Sequence, residues 1–165
     1  MAIRKIVAGI AALGALVLMS GCSLLGLDGT STRDPNADIT ASTNVNAFDL
    51  QVGDCMISSQ LEGSFTSLPV VPCTEAHDSE ITAVFDMPEG IYDPQLIADL
   101  ADGRCEVAAI EYVGPLYAEI SSQGLATSYF GPTEGGWDNG DREVDCYVYT
   151  ISEEDELTSS VQGMG

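Results

Sequence analysis

The sequence predicts an α+β domain in which one long helix packs on a small, mainly antiparallel sheet, with two disulfides. Short stretches of alternating apolar and polar residues lie on either side of a single longer stretch with helical periodicity. Four cysteines lie in the patterned part of the chain, an even number that is typical of exported domains with paired thiols. A length of 165 residues indicates one domain.

The first 21 residues have the plan of a secretory signal peptide. Two basic residues precede an apolar run over residues 6–19, which is too short to make a comfortable membrane-spanning helix. Ser20 and Gly21 stand directly before Cys22 and resemble a bacterial lipobox, with Met19 at the position where Leu is commonest. In such lipoproteins the Cys thiol carries a diacylglyceryl group and the Cys becomes the N-terminus after cleavage. The alternative is an ordinary signal peptide beside an unrelated cysteine.

Composition divides the rest of the chain into a flexible linker over residues 22–47, a folded domain over 48–158 and a polar tail over 159–165. The linker is rich in Gly, Ser, Thr, Asp, Asn and Pro and has almost no apolar periodicity. The whole chain has 26 acidic against 5 basic residues, a net charge of -21. This charge excludes a nucleic-acid binder, because a phosphate backbone needs many cationic contacts.

Five strands are predicted inside the domain, over residues 50–57, 69–73, 80–85, 128–131 and 142–151. Gly53 interrupts the first, and two prolines limit the second to a short edge strand. In the third, alternation places Ile81, Ala83 and Phe85 on one side. The last strand has two faces, one with Val144, Cys146 and Val148 and one with Asp145, Tyr147 and Tyr149.

The long helix is predicted over residues 94–112. Asp93 is a suitable N-cap and Pro94 a suitable first helical residue, whereas Gly114 and Pro115 end the helix. A helical turn is expected over residues 118–122, and Asn139-Gly140 before the last strand forms a turn. The inner face of the helix is expected to hold Ile97, Leu100, Ala101, Cys105, Ala108 and Tyr112.

Local pattern also chooses between the three possible pairings of Cys55, Cys73, Cys105 and Cys146. Cys105 points inward from the helix, and Cys146 lies on the more aliphatic face of the last strand. A Cys105–Cys146 bond joins the helix to that strand and leaves Cys55 to pair with Cys73. The absence of C-x-x-C spacing argues against zinc and against a thioredoxin-like redox site. We therefore expect two structural disulfides, with no metal and no cofactor.

Several short motifs stand in a recognisable order: VGDC at 52–55, VPCTEAHDSE at 71–80, Cys105 followed by YVG at 112–114, and WDNGDREVDC at 137–146. Together they resemble the bacterial septum-formation domain family over about residues 48–158. The resemblance implies an extracytoplasmic protein, lipid-anchored in some members and membrane-spanning in others. The family's name implies a link to cell division, and no agreed biochemical activity comes with it.

His77 is the only histidine, and with Asp78 and Glu80 nearby it is a candidate metal ligand or general base. One histidine among flexible carboxylates is a poor donor set for a transition metal. We favour the interpretation that Thr74, His77 and Asp78 make local hydrogen bonds that shape the turn into the third strand. Without a second histidine or a G-x-S-x-G motif, a hydrolytic triad is not expected.

The segment around residue 140 holds the remaining candidate contacts. Trp137 either grips a glycan or peptide or closes one end of the core, and the sequence does not separate these readings. Arg142 is expected to form an ion pair with Asp141 or Asp54 that fixes the loop, with recognition of an anionic ligand as the alternative. Residues 138–141 offer oxygen ligands for Ca²⁺ but lack EF-hand spacing, so we favour a solvated turn.

These observations favour a lipid-anchored binding or scaffold domain on the extracytoplasmic face of the cell membrane, linked to septum formation by the resemblance. Its expected partners are the membrane, through the lipid, and an envelope or cell-division protein. We expect no enzymatic activity. Two alternatives are an envelope receptor whose acidic surface binds cations or a basic partner, and a metal-dependent hydrolase that uses His77, Asp78 and Glu80.

Overall fold

The computed structural model describes residues 33–34, 38–61, 63–115, 117, 124–152 and 154–165. Its strands and helices are β1 Thr43–Asn46, β2 Cys55–Met56, β3 Ser67–Val71, β4 Ser79–Asp86, α1 Pro94–Val113, β5 Leu125–Phe130, α2 Glu134–Asp138 and β6 Glu143–Thr150. The strands form one sheet in the order β1-β3-β2-β4-β6-β5, and each neighbouring pair is antiparallel. Helix α1 packs on β4, β5 and β6, which confirms the predicted α+β class.

Helix α1 begins and ends where the sequence indicates. The Asp93 carboxylate accepts hydrogen bonds from the backbone N–H groups of Gln95 and Leu96, both at 3.1 Å. The helix ends at Gly114, whose φ of 115° disfavours any residue with a Cβ. Leu100, Ala108 and Tyr112 are only half-buried, because the contact with the sheet follows a row spaced by four residues. That row is Ile97, Ala101, Cys105, Ala109 and Val113.

Both predicted disulfides are present. Cys105 of α1 is bonded to Cys146 of β6, and the bond is buried between the helix and the sheet. Cys55 is bonded to Cys73, which joins β2 to the turn after β3. The two bonds close loops with sequence separations of 41 and 18 residues, and each contributes about 3–4 kcal/mol by restricting the unfolded chain.

A β-bulge in β4 makes the predicted alternation of that strand wrong. The register against β6 shifts between Ile81 and Ala83, where one extra residue is inserted. Ala83 and Phe85 therefore pack against α1, whereas Ile81 packs on the other face of the sheet together with Val84. The sequence alternates evenly through the bulge, so it carries no sign of the reversal.

The sheet begins before the predicted boundary at residue 48. Strand β1 pairs with β3, and the Val45 side chain is buried. Further upstream, the Arg33 guanidinium donates to both carboxylate oxygens of Asp54, at 2.5 and 2.6 Å. Part of the predicted linker thus belongs to the folded unit. A strand with one apolar residue gives too little periodicity to be recognised.

Strand β3 lies inside the sheet, although its prolines predicted an edge strand. It pairs with β1 on one side and with β2 on the other. Pro69 has no N–H to donate, but its carbonyl accepts a hydrogen bond from the Ile57 N–H at 3.3 Å. The predicted first strand shrinks to the two residues of β2, because Gly53 has a φ of 94° and turns the chain before Cys55.

The predicted tail also packs on the domain. Val161 is fully buried beside Ala109 and Val113 of α1, and the Gly163 N–H donates to the Tyr112 carbonyl at 2.9 Å. The composition of residues 159–165 is polar and gave no sign of this contact. The folded unit is therefore longer at both ends than predicted.

The predicted last strand differs from β6 by one residue at each end, whereas the strand predicted over residues 128–131 covers only the last three residues of β5. The predicted turn over residues 118–122, the signal peptide over 1–21 and the lipidation site at Cys22 all lie outside the described residues. Among the described helices, none has both the length and the apolar character that a membrane span needs.

Candidate functional site

An open groove lies on the sheet face that points away from α1. Successive side chains of a strand point to opposite faces, so Glu143 and Asp145 of β6 lie at the groove while Cys146 packs toward α1. In the ladder Asp145 stands between Phe130 of β5 and Val84 of β4. The sheet therefore holds a carboxylate among apolar neighbours on this face.

The groove has a volume of about 470 Å³ and combines aromatic walls with an acidic end. Phe65 meets Phe130 edge to face at a centroid distance of 4.9 Å, and Phe130 stacks on Tyr147 at 4.5 Å. Phe48 also lines the groove, where it is 63% exposed. The acidic lining residues are Asp141, Glu143 and Asp145. Exposed aromatic surface beside carboxylates is suited to contact with a ligand.

Asp145 has the most perturbed environment of the three carboxylates. The residue is 5% exposed, and its Oδ1 has no hydrogen-bond partner among the described residues. Burial raises the pKa of Asp145 to about 7, and the nearby charges of Glu143 and Asp141 act in the same direction. The carboxyl group of Asp145 therefore titrates near neutral pH.

The loop before β6 positions the two neighbouring carboxylates. Asp141 Oδ1 accepts a hydrogen bond from the Glu143 N–H at 3.0 Å. Burial, followed by the charge of Asp141, raises the pKa of Glu143. Gly136 of α2 allows Asp141 to approach, because a Cβ at residue 136 would lie 2.7 Å from Asp141 Oδ2. The short helix thus sets the acidic end of the groove.

Trp137 and Arg142 support this loop and do not line the groove. The Trp137 side chain is buried, and its Nε1 donates to the Gly90 carbonyl at 3.0 Å. The Arg142 guanidinium carbon lies 3.8 Å from the centre of the Trp137 ring system, within cation–π range. Of the two interpretations of Trp137, the structure supports closure of one end of the core.

Arg142 has a different ion-pair partner from those expected. Its guanidinium lies 3.1 Å from Glu89, and the expected pair with the carboxylate of Asp141 or Asp54 was wrong. It also donates to the carbonyls of Trp137 and Asp141 at 2.9 and 2.7 Å, so it fixes the loop as expected. Asp54 is engaged by Arg33 instead. Sequence proximity failed as a guide because Glu89 is 53 residues away in the chain.

His77 and Asp78 lie at the opposite end of the β4–β6 pair from Arg142. His77 is 2% exposed, and its Nδ1 lies 2.8 Å from the Glu75 carbonyl oxygen, which is the local contact that the sequence favoured. Asp78 also makes a local contact, since it accepts a hydrogen bond from the Ser79 hydroxyl, and it accepts two more from the N–H groups of Ser58 and Ser59 at 2.7 and 2.9 Å. These residues therefore do not share one site with Arg142.

The described residues bring three potential metal ligands within 4.8 Å of one another at one place, formed by Cys55, His77 and Glu80. Cys55 cannot supply a thiolate, because it is bonded to Cys73. Glu80 already accepts hydrogen bonds from Tyr112, at 2.5 Å, and from two residues near the end of the chain. This donor set does not fit a metal ion.

Of the candidate contacts His77, Asp78, Trp137, Asp141 and Arg142, only Asp141 lines the groove. The aromatic walls come from separate segments around Phe48, Phe65 and Phe130, and their approach depends on the strand order of the whole sheet. One signal was available in the sequence. Asp145 places a charge inside a strand beside Cys146, and charged residues are rarely buried without a reason.

A family model described as septum formation matches residues 21–160. This chain belongs to the septum-formation family. The match spans the complete sheet, both disulfides and the groove of this septum-formation domain. Searches among curated proteins and among solved structures found no match. Family membership indicates a role in septum formation and leaves the molecular task of the groove to be inferred from its chemistry.

Proposed function

We propose that this septum-formation protein is a non-enzymatic binding or scaffold module of the cell envelope, and that the groove is its contact surface for an envelope or cell-division protein. The observation that carries the proposal is the exposed Phe48 in the same groove as the buried Asp145, whose Oδ1 has no hydrogen-bond partner among the described residues. A surface that exposes an aromatic ring next to an incomplete polar site is suited to docking.

The rest of the domain is built as a stiff support for that surface. The Cys105–Cys146 bond joins α1 to β6, the strand that carries the two groove carboxylates. Helix α1 covers the other face of the sheet, so the groove lies on the face that it leaves open. Rigid binding surfaces lose little conformational entropy when a partner docks, which favours a scaffold role.

The proposal includes a location on the extracytoplasmic face of the membrane, with a lipid anchor on Cys22. Two disulfides fit an oxidising compartment outside the cytoplasm. The lipobox-like residues before Cys22 would direct lipidation of its thiol, which supplies the anchor. The ion pair of Arg33 with Asp54 ties the chain that follows Cys22 to the folded domain.

The catalytic alternative has less support. A hydrolase that uses His77 needs the imidazole to reach a substrate, whereas His77 is buried and its Nδ1 is held by the Glu75 carbonyl. Asp78 and Glu80 are likewise occupied by hydrogen bonds within the domain. Asp78 lines a cavity with Tyr147 and Tyr149, but hydrogen bonds from Ser58 and Ser59 occupy its carboxylate, and His77 does not line that cavity.

The proposal is tested by replacing one exposed groove side chain in cells that depend on the protein. We expect Phe48→Ala to abolish septal enrichment of the protein and to delay septation, because the aromatic contact is lost while the fold is kept. The matched control is Ile91→Ala, since Ile91 is 93% exposed and does not line the groove. Normal septa and normal localisation with Phe48→Ala, at wild-type protein level, would contradict the proposal.

A further inference from the structure

Building on that proposed function, we propose that the groove receives a basic side chain, Lys or Arg, from an extended segment of the partner protein. The charged end lies at Asp145 and Glu143, and the aliphatic stem lies along the aromatic walls. Long basic side chains bury their stems on apolar surface while the charged head finds polar partners, which matches a groove that is aromatic along its walls and acidic at one end.

The first argument is that no described cationic side chain pairs with Asp145. Its Oδ1 is buried and has no hydrogen-bond partner in the described ranges. The three described arginines have other contacts: Arg33 with Asp54, Arg104 over the Phe85 ring and Arg142 with Glu89. A buried charge is stable when it is paired, so a cation from another molecule completes this site.

The second argument concerns the kind of cation. Ca²⁺ takes six to eight oxygen ligands, and a compact cage of carboxylates would be needed. Among the described residues, the place where three potential ligand atoms converge within 4.8 Å is not the groove. One oxygen of Asp141 is also used by the Glu143 N–H. Aromatic rings such as Phe65 and Phe130 instead attract organic cations through their faces.

The third argument is charge complementarity over a wider area. Asp86 of β4 stands opposite Glu143 in the ladder, and Asp49 adds to the negative field at Glu143. The whole chain carries a net charge of -21. Such a field steers a basic segment toward the groove and disfavours acidic competitors.

The protonation of Asp145 gives the inference a specific signature. The charged groups that act on this carboxyl are Glu143 of β6, Asp141 of the loop and the more distant Asp54, which is paired with Arg33. The neighbouring strands place Val84 of β4 and Phe130 of β5 opposite Asp145, and Asp86 of β4 stands opposite Glu143. Burial raises the pKa of Asp145 to about 7, so near pH 7 about half of the molecules carry the proton. A bound cation favours the ionised form, so binding releases a proton to the buffer.

The test uses the full domain and three blocked pentapeptides, Gly-Lys-Gly-Lys-Gly, its Arg version and its norleucine version, with CaCl₂ as a separate titrant. Backbone NMR shifts report the place of binding, and calorimetry in two buffers reports proton release. We expect the Lys or Arg peptide to shift the amides around Asp145 and Phe65 and to release protons near pH 7. The norleucine peptide is expected to bind at least about tenfold more weakly, because it lacks the charge.

Two variants locate the charge contact. Asp145→Asn and Glu143→Gln are each expected to weaken peptide binding by about tenfold. Glu111→Gln removes the same charge from an exposed position on α1 and is expected to change binding by less than about twofold.

Four results would overturn the inference: no groove shifts with either basic peptide, equal binding of the norleucine peptide, equal weakening by Glu111→Gln, or Ca²⁺ binding that depends on the same two carboxylates. The first result would show that the groove does not bind basic side chains, and the second that it binds through apolar contact alone. The third would show that only the overall charge of the protein matters, and the fourth that the carboxylates bind a metal ion. None of them decides whether Phe48→Ala disturbs septation, so the proposed function fails or stands separately.

Discussion

At the scale of single residues, Asp145 is an ionisable group buried at an unfavourable position in the sheet. Its carboxylate lies between strand neighbours that are apolar, and the nearest acidic groups on its own strand and loop repel its charge. Burial favours the protonated form, so the folded state binds this proton more tightly than the unfolded chain does. Asp145 therefore stabilises the fold in acid and weakens it in base.

Replacement of this carboxyl should change the free energy of unfolding by an amount that depends on pH. The pKa of Asp145 is raised to about 7 in the fold, so its favourable contribution is complete below its ordinary pKa and is lost as the pH rises through 7. We expect Asp145→Asn to raise the free energy of unfolding by about 2 kcal/mol near pH 8, and to have little effect near pH 4. Urea denaturation across this range measures the difference.

The exposed variant Glu111→Gln controls for the loss of one negative charge on the molecule. Its difference from the wild type should stay small and flat over the same pH range. If the Asp145→Asn difference is equally flat, the carboxyl of Asp145 does not titrate with a raised pKa.

Single-residue interpretations from sequence succeeded where the contact is local. The Asp93 cap and the His77 contact with Glu75 involve neighbours within three residues, and both were anticipated in kind. The Arg142–Glu89 pair spans 53 residues and was missed. Long-range partners depend on strand order, which the sequence does not state.

At the scale of elements, helix α1 was predictable from local sequence, whereas the short strands depend on long-range partners. The helix carries its own cap, its own stop signal and a long apolar period, so its bounds were predicted within one residue. Strands β1 and β2 have four and two residues and exist because β3 pairs with both. Too few residues lie in each to show a period, and neighbouring strands supply their stability.

The buried Glu80 of β4 joins three elements that are distant in the chain. Its carboxylate accepts hydrogen bonds from Tyr112 of α1 at 2.5 Å, from Ser160 at 2.6 Å and from the Val161 N–H at 2.7 Å. Desolvation by burial, together with the bond to Glu80, raises the pKa of Tyr112, so its phenol stays a donor at any physiological pH. Glu80 thereby fixes residues 160–161 to the domain.

We expect Glu80→Gln to lower the free energy of unfolding by about 2–4 kcal/mol, because one carboxylate oxygen becomes an NH₂ group among donors. Hydrogen exchange should also show faster exchange at the Val161 and Gly163 amides, which are bonded to Glu80 and Tyr112. The exposed Glu156→Gln serves as the matched control and should change stability by less than about 0.5 kcal/mol. Unchanged exchange at Val161 in Glu80→Gln would show that this carboxylate does not hold the segment.

At the scale of the whole molecule, the sheet separates the helix from the face that we propose as the contact surface. One face is closed by α1 and the Cys105–Cys146 bond, and the opposite face is left with the groove. Removal of residues 1–21 at the signal peptide would leave 26 acidic residues against three arginines, a net charge of -23. An anionic bilayer surface repels such a body, so membrane association depends on the proposed anchor.

The distance from that anchor to the body is short. Arg33 is tied to Asp54, and the ten residues 23–32 lie between Cys22 and Arg33. A chain of that length reaches no further than about 40 Å when fully extended. If Cys22 carries the proposed lipid, this segment keeps the domain, and with it the groove, close to the membrane.

Cys22→Ser tests the anchor on which this arrangement depends. Each buried CH₂ of a lipid contributes about 0.8 kcal/mol, and a diacylglyceryl group supplies two chains, so the wild type should stay in the membrane fraction after a wash with about 1 M NaCl. Without the lipid, the acidic body has no attraction to the bilayer, so we expect Cys22→Ser in the soluble fraction when residues 1–21 are replaced by a signal peptide whose cleavage does not need the cysteine. Ser23→Ala keeps the cysteine and should fractionate like the wild type. Recovery of Cys22→Ser in salt-washed membranes would show that another feature of the chain binds the bilayer.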